Sequence, residues 1–144
     1  MLLMLEDCAE RVERFAAVWN VLAPEQSMRV YRTAAEMVRD LDIHLPTATL
    51  ISLDHDLESV DGLDPGDGMD VARHLAALSP GCPVIVHTSN ADRGTLMMGE
   101  LELVGWKRHR VYPIGDDWIE LDWGRIVKRV LQQLRLKPAN RPRK

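Results

Sequence analysis

Two apolar segments of the chain end in polar side chains that can move protons or bind metal ions. The segments are LISLDHDL at positions 50–57 and PVIVHTSN at positions 83–90. An apolar run with a polar tip is typical of a buried parallel strand whose carboxyl end opens onto a site. The polar residues at the two tips are Asp54, His55, Asp56, His87, Thr88, Ser89 and Asn90.

Four carboxylates are expected to converge at this edge. Asp54 and Asp56 lie two residues apart, on one side of an extended tip, and Glu6 and Asp7 end a predicted neighbouring strand. Converging carboxylates repel each other unless a cation or shared protons intervene, and oxygen ligands suit Mg²⁺ or a similar hard ion such as Mn²⁺. We therefore predict Glu6, Asp7 and Asp54 as metal ligands, with Asp56 close by. The alternative is that each carboxylate caps a helix or a turn.

Two histidines stand at the same predicted strand tips. An imidazole can take or give a proton near neutral pH, so His55 and His87 could act as base and acid in the cleavage of a phosphodiester. This hypothesis makes His55, His87, Asp54 and Asp56 the candidate catalytic residues. The alternative is that one histidine is hydrogen-bonded in the core and the other is exposed.

A phosphate site is predicted where the second segment meets a helix. Thr88, Ser89 and Asn90 offer hydroxyl and amide groups next to the free N–H groups of a first helical turn. The same side chains can cap that helix, and both roles can hold together. Arg93 and Arg110 are the candidates for bidentate contact with the phosphate.

The spacing of apolar residues predicts strands and helices in alternation. Strands are expected at 1–5, 28–31, 48–53, 84–87 and 108–112. Helices are expected at 9–22, 34–41, 68–78, 91–104 and 118–136, with Asp7 and Thr33 as N-caps of the first two. This order predicts an α/β protein, a flavodoxin-like three-layer sandwich with a five-stranded parallel sheet in the order 2-1-3-4-5. The tips of strands 1, 3 and 4 are then neighbours.

The composition is that of one globular domain. The chain has 144 residues, 46% of them hydrophobic and 28% charged, so we expect a single domain at 1–136 and a disordered basic tail at 137–144. No apolar run is long enough for a membrane span, and a cytoplasmic location is expected. The sequence has no Walker A loop, GxGxxG, nucleophile elbow or paired Cys/His zinc spacing, which disfavours P-loop, dinucleotide and zinc chemistry.

The net charge of −4 conceals a strong asymmetry along the chain. Residues 125–144 contain eight basic residues and no acidic ones, so the first 124 residues carry a net charge of −12. The basic end could hold phosphate or an RNA end. The alternative is a solvated helix face followed by a disordered end.

Several motifs together resemble the receiver domain of response regulators. LLMLED resembles its acidic first strand end, LISLD its phosphoacceptor strand, GMDVARHL its third helix and PVIVHTS its fourth strand with a hydroxyl residue. The resemblance implies that Asp54 stands at the phosphoacceptor position and Thr88 at the hydroxyl position. GWKRHRVYPI resembles the fifth-strand segment, but Tyr112 precedes Pro113 where a receiver carries lysine.

The combination of LDHDL, GMDVARHL and HTSN is more similar to the cyclic-phosphate processing receiver domain. This resemblance implies a receiver-type fold whose acidic pocket, with added histidines, acts on cyclic phosphates such as the 2′,3′-cyclic ends of nucleotides or RNA. Three hypotheses are open. The leading one is a metal-assisted phosphoesterase, and its rival is a non-enzymatic, atypical receiver that binds a protein partner around its fourth and fifth strands. The third is a protein that binds RNA ends through its basic tail.

Overall fold

A computed structural model describes residues 1–59 and 61–136 of the chain, so the predicted basic tail at 137–144 lies outside the described residues. The strands are β1 (Leu2–Leu5), β2 (Met28–Tyr31), β3 (Leu50–Leu53), β4 (Val84–Val86) and β5 (Arg108–Arg110). The α-helices are α1 (Ala9–Leu22), α2 (Ala34–His44), α3 (Gly68–Ala76), α4 (Ala91–Leu103) and α5 (Gly124–Leu136). A 3₁₀ turn (Leu45–Thr47) precedes β3, and a π turn (Ile119–Trp123) precedes α5.

The strands of the described chain form one parallel sheet in the order β2-β1-β3-β4-β5. This order confirms the predicted flavodoxin-like topology. The strand order changes direction between β1 and β3, because β2 lies on one side of β1 and β3 lies on the other. Ligands of such sheets bind outside the carboxyl ends of the strands at this point. The register pairs Leu5 with Leu53, which brings the residues after β1 and β3 side by side.

The two faces of the sheet bury separate hydrophobic cores, because successive side chains of a strand point to opposite faces. Leu3, Leu5 and Leu53 pack against α2, α3 and α4. Leu2 and Met4 pack against α1, the π turn and α5. We refer to these as the α2–α4 face and the α1/α5 face. A residue's position in its strand therefore decides which helices surround its side chain.

Three helix starts have side-chain caps. The Thr33 hydroxyl accepts a hydrogen bond from Glu36 N–H, which confirms the predicted cap of α2. Asp67 and Asp70 form a reciprocal capping box at α3, and Asn90 caps α4. The prediction that Asp7 caps α1 is wrong. Cys8 occupies that position without a side-chain hydrogen bond, and the Asp7 carboxylate instead accepts the N–H of Glu58 in the loop after β3.

The last predicted helix differs from the structure in its first turn. We expected one helix over 118–136, but Ile119–Trp123 forms a π turn in which Trp123 N–H donates to the Trp118 carbonyl, 2.9 Å away. Trp123, Val127, Val130 and Leu131 are buried against the sheet, whereas Leu134 is 37% exposed. No helix among the described residues is both long enough and apolar enough to span a bilayer.

Candidate functional site

The carboxyl ends of β1 and β3 open onto a cleft of about 970 Å³ that is strongly acidic. Eight of its lining residues are carboxylic acids, and two are arginines. The acids are Asp7, Glu10, Asp54, Asp56, Glu58, Asp116, Asp117 and Glu120. An anionic ligand would be repelled from this cleft unless cations at its floor offset the negative charge.

The floor contains the three carboxylates that the sequence predicts as metal ligands. One oxygen of each of Glu6, Asp7 and Asp54 lies within 4.8 Å of the others. Glu6 is fully buried, and its Oε2 accepts the N–H groups of Asp7 at 3.0 Å and Cys8 at 3.3 Å. Its other oxygen, Oε1, has no hydrogen-bond partner within the described parts of the chain. Such an unsatisfied, buried carboxylate oxygen is suited to a cation.

The environment moves the pKa values of the two buried carboxylates in opposite directions. Burial opposes the ionisation of Glu6, but the contact with His87, the Cys8 N–H group and the charge of Arg11 together lower its pKa to about 2. Burial raises the pKa of Asp54 to about 6; the charge of Glu6 adds to the rise, whereas His87 opposes it. Asp54 is therefore the carboxylate that gains most from a nearby positive charge.

Arg11 supplies positive charge at this floor, and the sequence analysis missed it. Its NH1 lies 3.6 Å from Glu6 Oε1 and 3.9 Å from Asp54 Oδ2, and its guanidinium lies over the Trp118 ring. The side chain is 32% exposed and lines the cleft. The set of oxygen donors below it fits Mg²⁺ or Mn²⁺. The available sequence signal was the place of Arg11 in the first turn of the helix that follows β1.

His87 is fully buried on the α1/α5 face, close to this floor. Its Nε2 lies 3.4 Å from Glu6 Oε1, and its Nδ1 lies 2.7 Å from Ser52 Oγ. The indole N–H of Trp123 donates to the same hydroxyl oxygen at 3.0 Å. Phe15 packs on the imidazole, with 4.9 Å between the ring centroids. Sequence reasoning also missed Ser52 and Trp123, since neither stands at a polar tip.

His55 occupies a different environment, because it follows Asp54 directly and points to the α2–α4 face. It is buried, its Nδ1 lies 2.7 Å from Asp56 Oδ1, and its Nε2 lies 3.6 Å from Asp67 Oδ2. Asp67 starts α3, and the N–H of Gly68 donates to the His55 carbonyl. The structure therefore places His55 and His87 on opposite faces of the sheet and does not bring the two rings together.

The residues predicted to hold phosphate have divided roles. Thr88 is buried, and its hydroxyl accepts the N–H of Asn90 at 3.1 Å. Asn90 accepts the N–H of Arg93 at 3.1 Å as the cap of α4 and donates weakly to Asp56 at 3.5 Å. Ser89 is exposed and lines the cleft. Local hydrogen bonds to the backbone thus occupy Thr88 and Asn90, and Ser89 is the member that faces the cleft.

The two predicted phosphate-binding arginines lie away from the cleft floor. Arg110 donates three hydrogen bonds to the carbonyls of Val86, Thr88 and Val111, and its guanidinium lies over Tyr112. These contacts tie the end of β4 to β5 and occupy the guanidinium. Arg93 is exposed on α4. Arg11 and Arg14 line the cleft instead, and Arg14 binds Glu120 through two nitrogens at 2.9 and 2.8 Å.

The fold and the acidic strand tips are those of a receiver domain. The model of the cyclic-phosphate processing receiver domain matches residues 1–103, and the chain belongs to this family. Its membership confirms the resemblance found in the sequence. No curated protein matches the chain.

Solved structures of receiver domains are similar over nearly the whole chain. A CheY-like receiver from Methanospirillum hungatei has 14% identity and a TM-score of 0.63, with 94% of this chain and 97% of that chain covered. The CheX–CheY–BeF₃–Mg²⁺ complex from Borrelia burgdorferi has 13% identity and a TM-score of 0.65, with 94% and 89% covered. The phosphorylated cyanobacterial phytochrome response regulator RcpA has 15% identity and a TM-score of 0.62, with 99% and 97% covered. At these identities the likeness establishes the fold.

Proposed function

We propose that this protein is a metal-assisted phosphoesterase that hydrolyses cyclic phosphates, such as the 2′,3′-cyclic ends of nucleotides or RNA. One observation carries the proposal. One oxygen of each of Glu6, Asp7 and Asp54 lies within 4.8 Å of the others, and Asp7 and Asp54 line an open acidic cleft. Carboxylate oxygens that converge in this way favour a bound divalent cation, because the cation offsets their mutual repulsion. The family to which the chain belongs is named for the same chemistry.

Glu6, Asp7 and Asp54 would hold Mg²⁺ or Mn²⁺. When bound, this ion would polarise a phosphoryl oxygen and offset its negative charge. Arg11 adds a second positive charge that can turn toward the same phosphate. Ser89 and the N-terminal turn of α4 would orient the phosphate from the opposite wall.

The proton of the attacking water requires a base at the cleft wall. Asp56 lines the cleft, and the His55 imidazole and the Asn90 amide hold its two oxygens. In the proposed step the water oxygen bonds to phosphorus, and one of the P–O bonds to the ribose breaks. Asp56 takes the proton of the water, and the released alkoxide takes a proton from solvent in the open cleft. The Nε2 atom of His87 lies 3.4 Å from Glu6 Oε1, next to the proposed metal ligands.

The proposal is tested by incubating the protein with 2′,3′-cyclic nucleotides and a short RNA with a 2′,3′-cyclic end. Each substrate is assayed with Mg²⁺, with Mn²⁺ and with chelator. We expect turnover with metal that falls at least about 100-fold in Asp54→Asn and in Asp56→Asn, as for the loss of a group that acts in the transition state. Asp42→Asn is the matched control, since this exposed carboxylate lies on α2, outside the cleft. Absence of turnover on the whole panel, or turnover that is equal in all variants, contradicts the proposal.

A second candidate function is that of a receiver module that binds a protein partner without catalysis. The observation in its favour is a group of exposed apolar side chains on α4 and in the segment after β5. Leu103 is 84% exposed and Ile114 is 76% exposed, and Leu96 and Tyr112 are also exposed. Labelling by acetyl phosphate or beryllofluoride without any turnover would favour this module. Metal-dependent turnover would favour the enzyme.

A further inference from the structure

A chain of hydrogen bonds runs through the core of the α1/α5 face and ends at the cleft floor. It links the indole of Trp123, the hydroxyl of Ser52 and the imidazole of His87, and all three residues are completely buried. The far side of the imidazole faces Glu6 Oε1 at 3.4 Å. No water competes for these groups at zero exposure, so the donors and acceptors must satisfy one another.

The donor inventory of these side chains allows one consistent arrangement. An indole N–H only donates, so Ser52 Oγ must accept from Trp123. The Ser52 hydroxyl then has one hydrogen to donate, and His87 Nδ1 is the acceptor that lies 2.7 Å away. A nitrogen that accepts a hydrogen bond carries no proton. In a neutral imidazole the proton is therefore on Nε2, which faces the Glu6 carboxylate.

We propose that Ser52 and Trp123 are positioning residues that fix the tautomer of His87, with Nδ1 bare and Nε2–H directed at Glu6 and the cleft. A proton on Nδ1 would require Ser52 to accept from the indole and the imidazole at once. The hydroxyl hydrogen would then lose its acceptor in a buried site, which is costly. Phe15, Trp118 and the π turn that carries Trp123 hold the ring in place.

The tautomer defines what His87 can do in the proposed reaction. Nε2–H can donate a hydrogen bond to a carboxylate or to a phosphoryl oxygen, but it cannot accept the proton of an attacking water. His87 is thus a fixed hydrogen-bond donor that stabilises negative charge, in the way a neutral imidazole acts as an electrophile. This catalytic meaning rests on the proposed function. The tautomer does not, because it depends on buried groups alone.

The test is a long-range ¹H–¹⁵N spectrum of the full chain, labelled with ¹⁵N-histidine, at pH 8 with excess chelator. We expect a single neutral tautomer for His87, with Nε2 protonated and Nδ1 bare. Ser52→Ala removes the donor that excludes a proton from Nδ1, so part of the population should change to the Nδ1–H tautomer and the averaged Nδ1 resonance should move toward that of a protonated nitrogen. Ser52→Thr keeps the hydroxyl and should restore the wild-type resonances.

Trp123→Phe provides a second variant that keeps an aromatic ring but removes the indole N–H. Ser52 is then free to rotate, so the His87 resonances should move part of the way toward those of Ser52→Ala. A protonated Nδ1 in the wild-type protein overturns the proposal, as does an unchanged Nδ1 resonance in a folded Ser52→Ala protein. The spectra need no substrate. A failure of the turnover assay with the expected spectra therefore rejects the proposed function alone.

Discussion

His87 and His55 are both buried at the carboxyl edge of one sheet, yet their surroundings have little in common. His87 lies among aromatic rings, with a hydroxyl on one nitrogen and the Glu6 carboxylate near the other. His55 lies between two carboxylates, Asp56 and Asp67, at the start of α3. A shared sheet edge therefore does not imply a shared site, because strand alternation separates side chains by face.

The two faces also differ in the free-energy cost of burying their polar groups. On the α1/α5 face the charges of Glu6 and Asp54 are buried together, which raises the pKa of Asp54. On the α2–α4 face Asp67 and Asp70 cap α3 at the protein surface, where backbone N–H groups satisfy them. Functional groups on the first face are held against a free-energy cost, whereas those on the second contribute to the local fold.

The largest effect on stability is expected at Gly68, which packs against the backbone of Asp54 and His55. A Cβ at Gly68 would collide with the Asp54 carbonyl oxygen and lie 2.9 Å from the His55 Cα. Gly68→Ala should lower the free energy of unfolding by about 3 kcal/mol or more, since backbone must move. Urea denaturation measures the change. Gly99→Ala, in α4 with no atom within 4 Å of its Cβ, is the matched control and should stabilise by about 0.5–1 kcal/mol. Equal effects would contradict the packing argument.

Asp54→Asn should stabilise the α1/α5 face, because it removes a buried negative charge close to Glu6 and His87. Because folding raises the pKa of this acid from 3.8 to about 6, its ionisation destabilises the fold. The cost is absent below about pH 4, grows as the pH rises through 6 and is constant above it. With chelator, the variant should be more stable than wild type by about 3 kcal/mol at pH 8 and nearly equal at pH 4. Denaturation at both pH values checks this, and a pH-independent difference would contradict it.

Arg110→Lys tests the clamp that joins β4 to β5 on the α2–α4 face. A lysine cannot donate to the three carbonyls that the guanidinium reaches, and at least one of them loses its partner. We expect a loss of about 1–2 kcal/mol in the free energy of unfolding. Arg73→Lys, at an exposed position of α3, should leave stability unchanged. If Arg110 binds phosphate as the sequence predicts, its main effect will instead be a raised KM for the cyclic nucleotide.

Asp67→Ala gives the smallest expected effect and tests whether this carboxylate is a cap. The variant removes the oxygen that accepts the Asp70 N–H at the start of α3. It should cost about 1 kcal/mol, and Asp67→Ser, which keeps a capping oxygen, should recover most of it. Thermal denaturation is sufficient to compare them. A loss in Asp67→Ser as large as in Asp67→Ala would indicate that the charge near His55 matters more than the cap.

The strand order and most element bounds were predictable, because they depend on apolar periodicity that the sequence displays directly. The grouping of Glu6, Asp7 and Asp54 was also predictable, since strand pairing alone brings the ends of β1 and β3 together. These features need no knowledge of side-chain direction. The site residues as a set stay a prediction, to be tested by the substitutions above.

The environment of each histidine was not predictable, because it depends on distant residues. In the sequence Ser52 is an ordinary strand residue, and only the folded chain shows that Trp123, 71 positions later, donates a hydrogen bond to it. In the sequence Arg11 is an ordinary charge on a helix surface, and only the folded chain places Glu6 and Asp54 next to it. The displacement of Asp7 from its predicted capping role has the same origin, since the loop after β3 supplies a competing N–H group.

The π turn sets the angle around the helix axis between the side chains of Trp118 and Trp123. An α-helix advances about 100° per residue, so each added or deleted residue turns the preceding segment by that angle relative to the rest of the helix. Trp118 and Trp123 are five residues apart and both contact Phe15, and the turn between them contains the exposed residues Leu121 and Asp122. Deleting one of these exposed residues would let the segment close as an ordinary α-helix. Trp118 would then swing away from Arg11, although no residue of the cleft had been substituted.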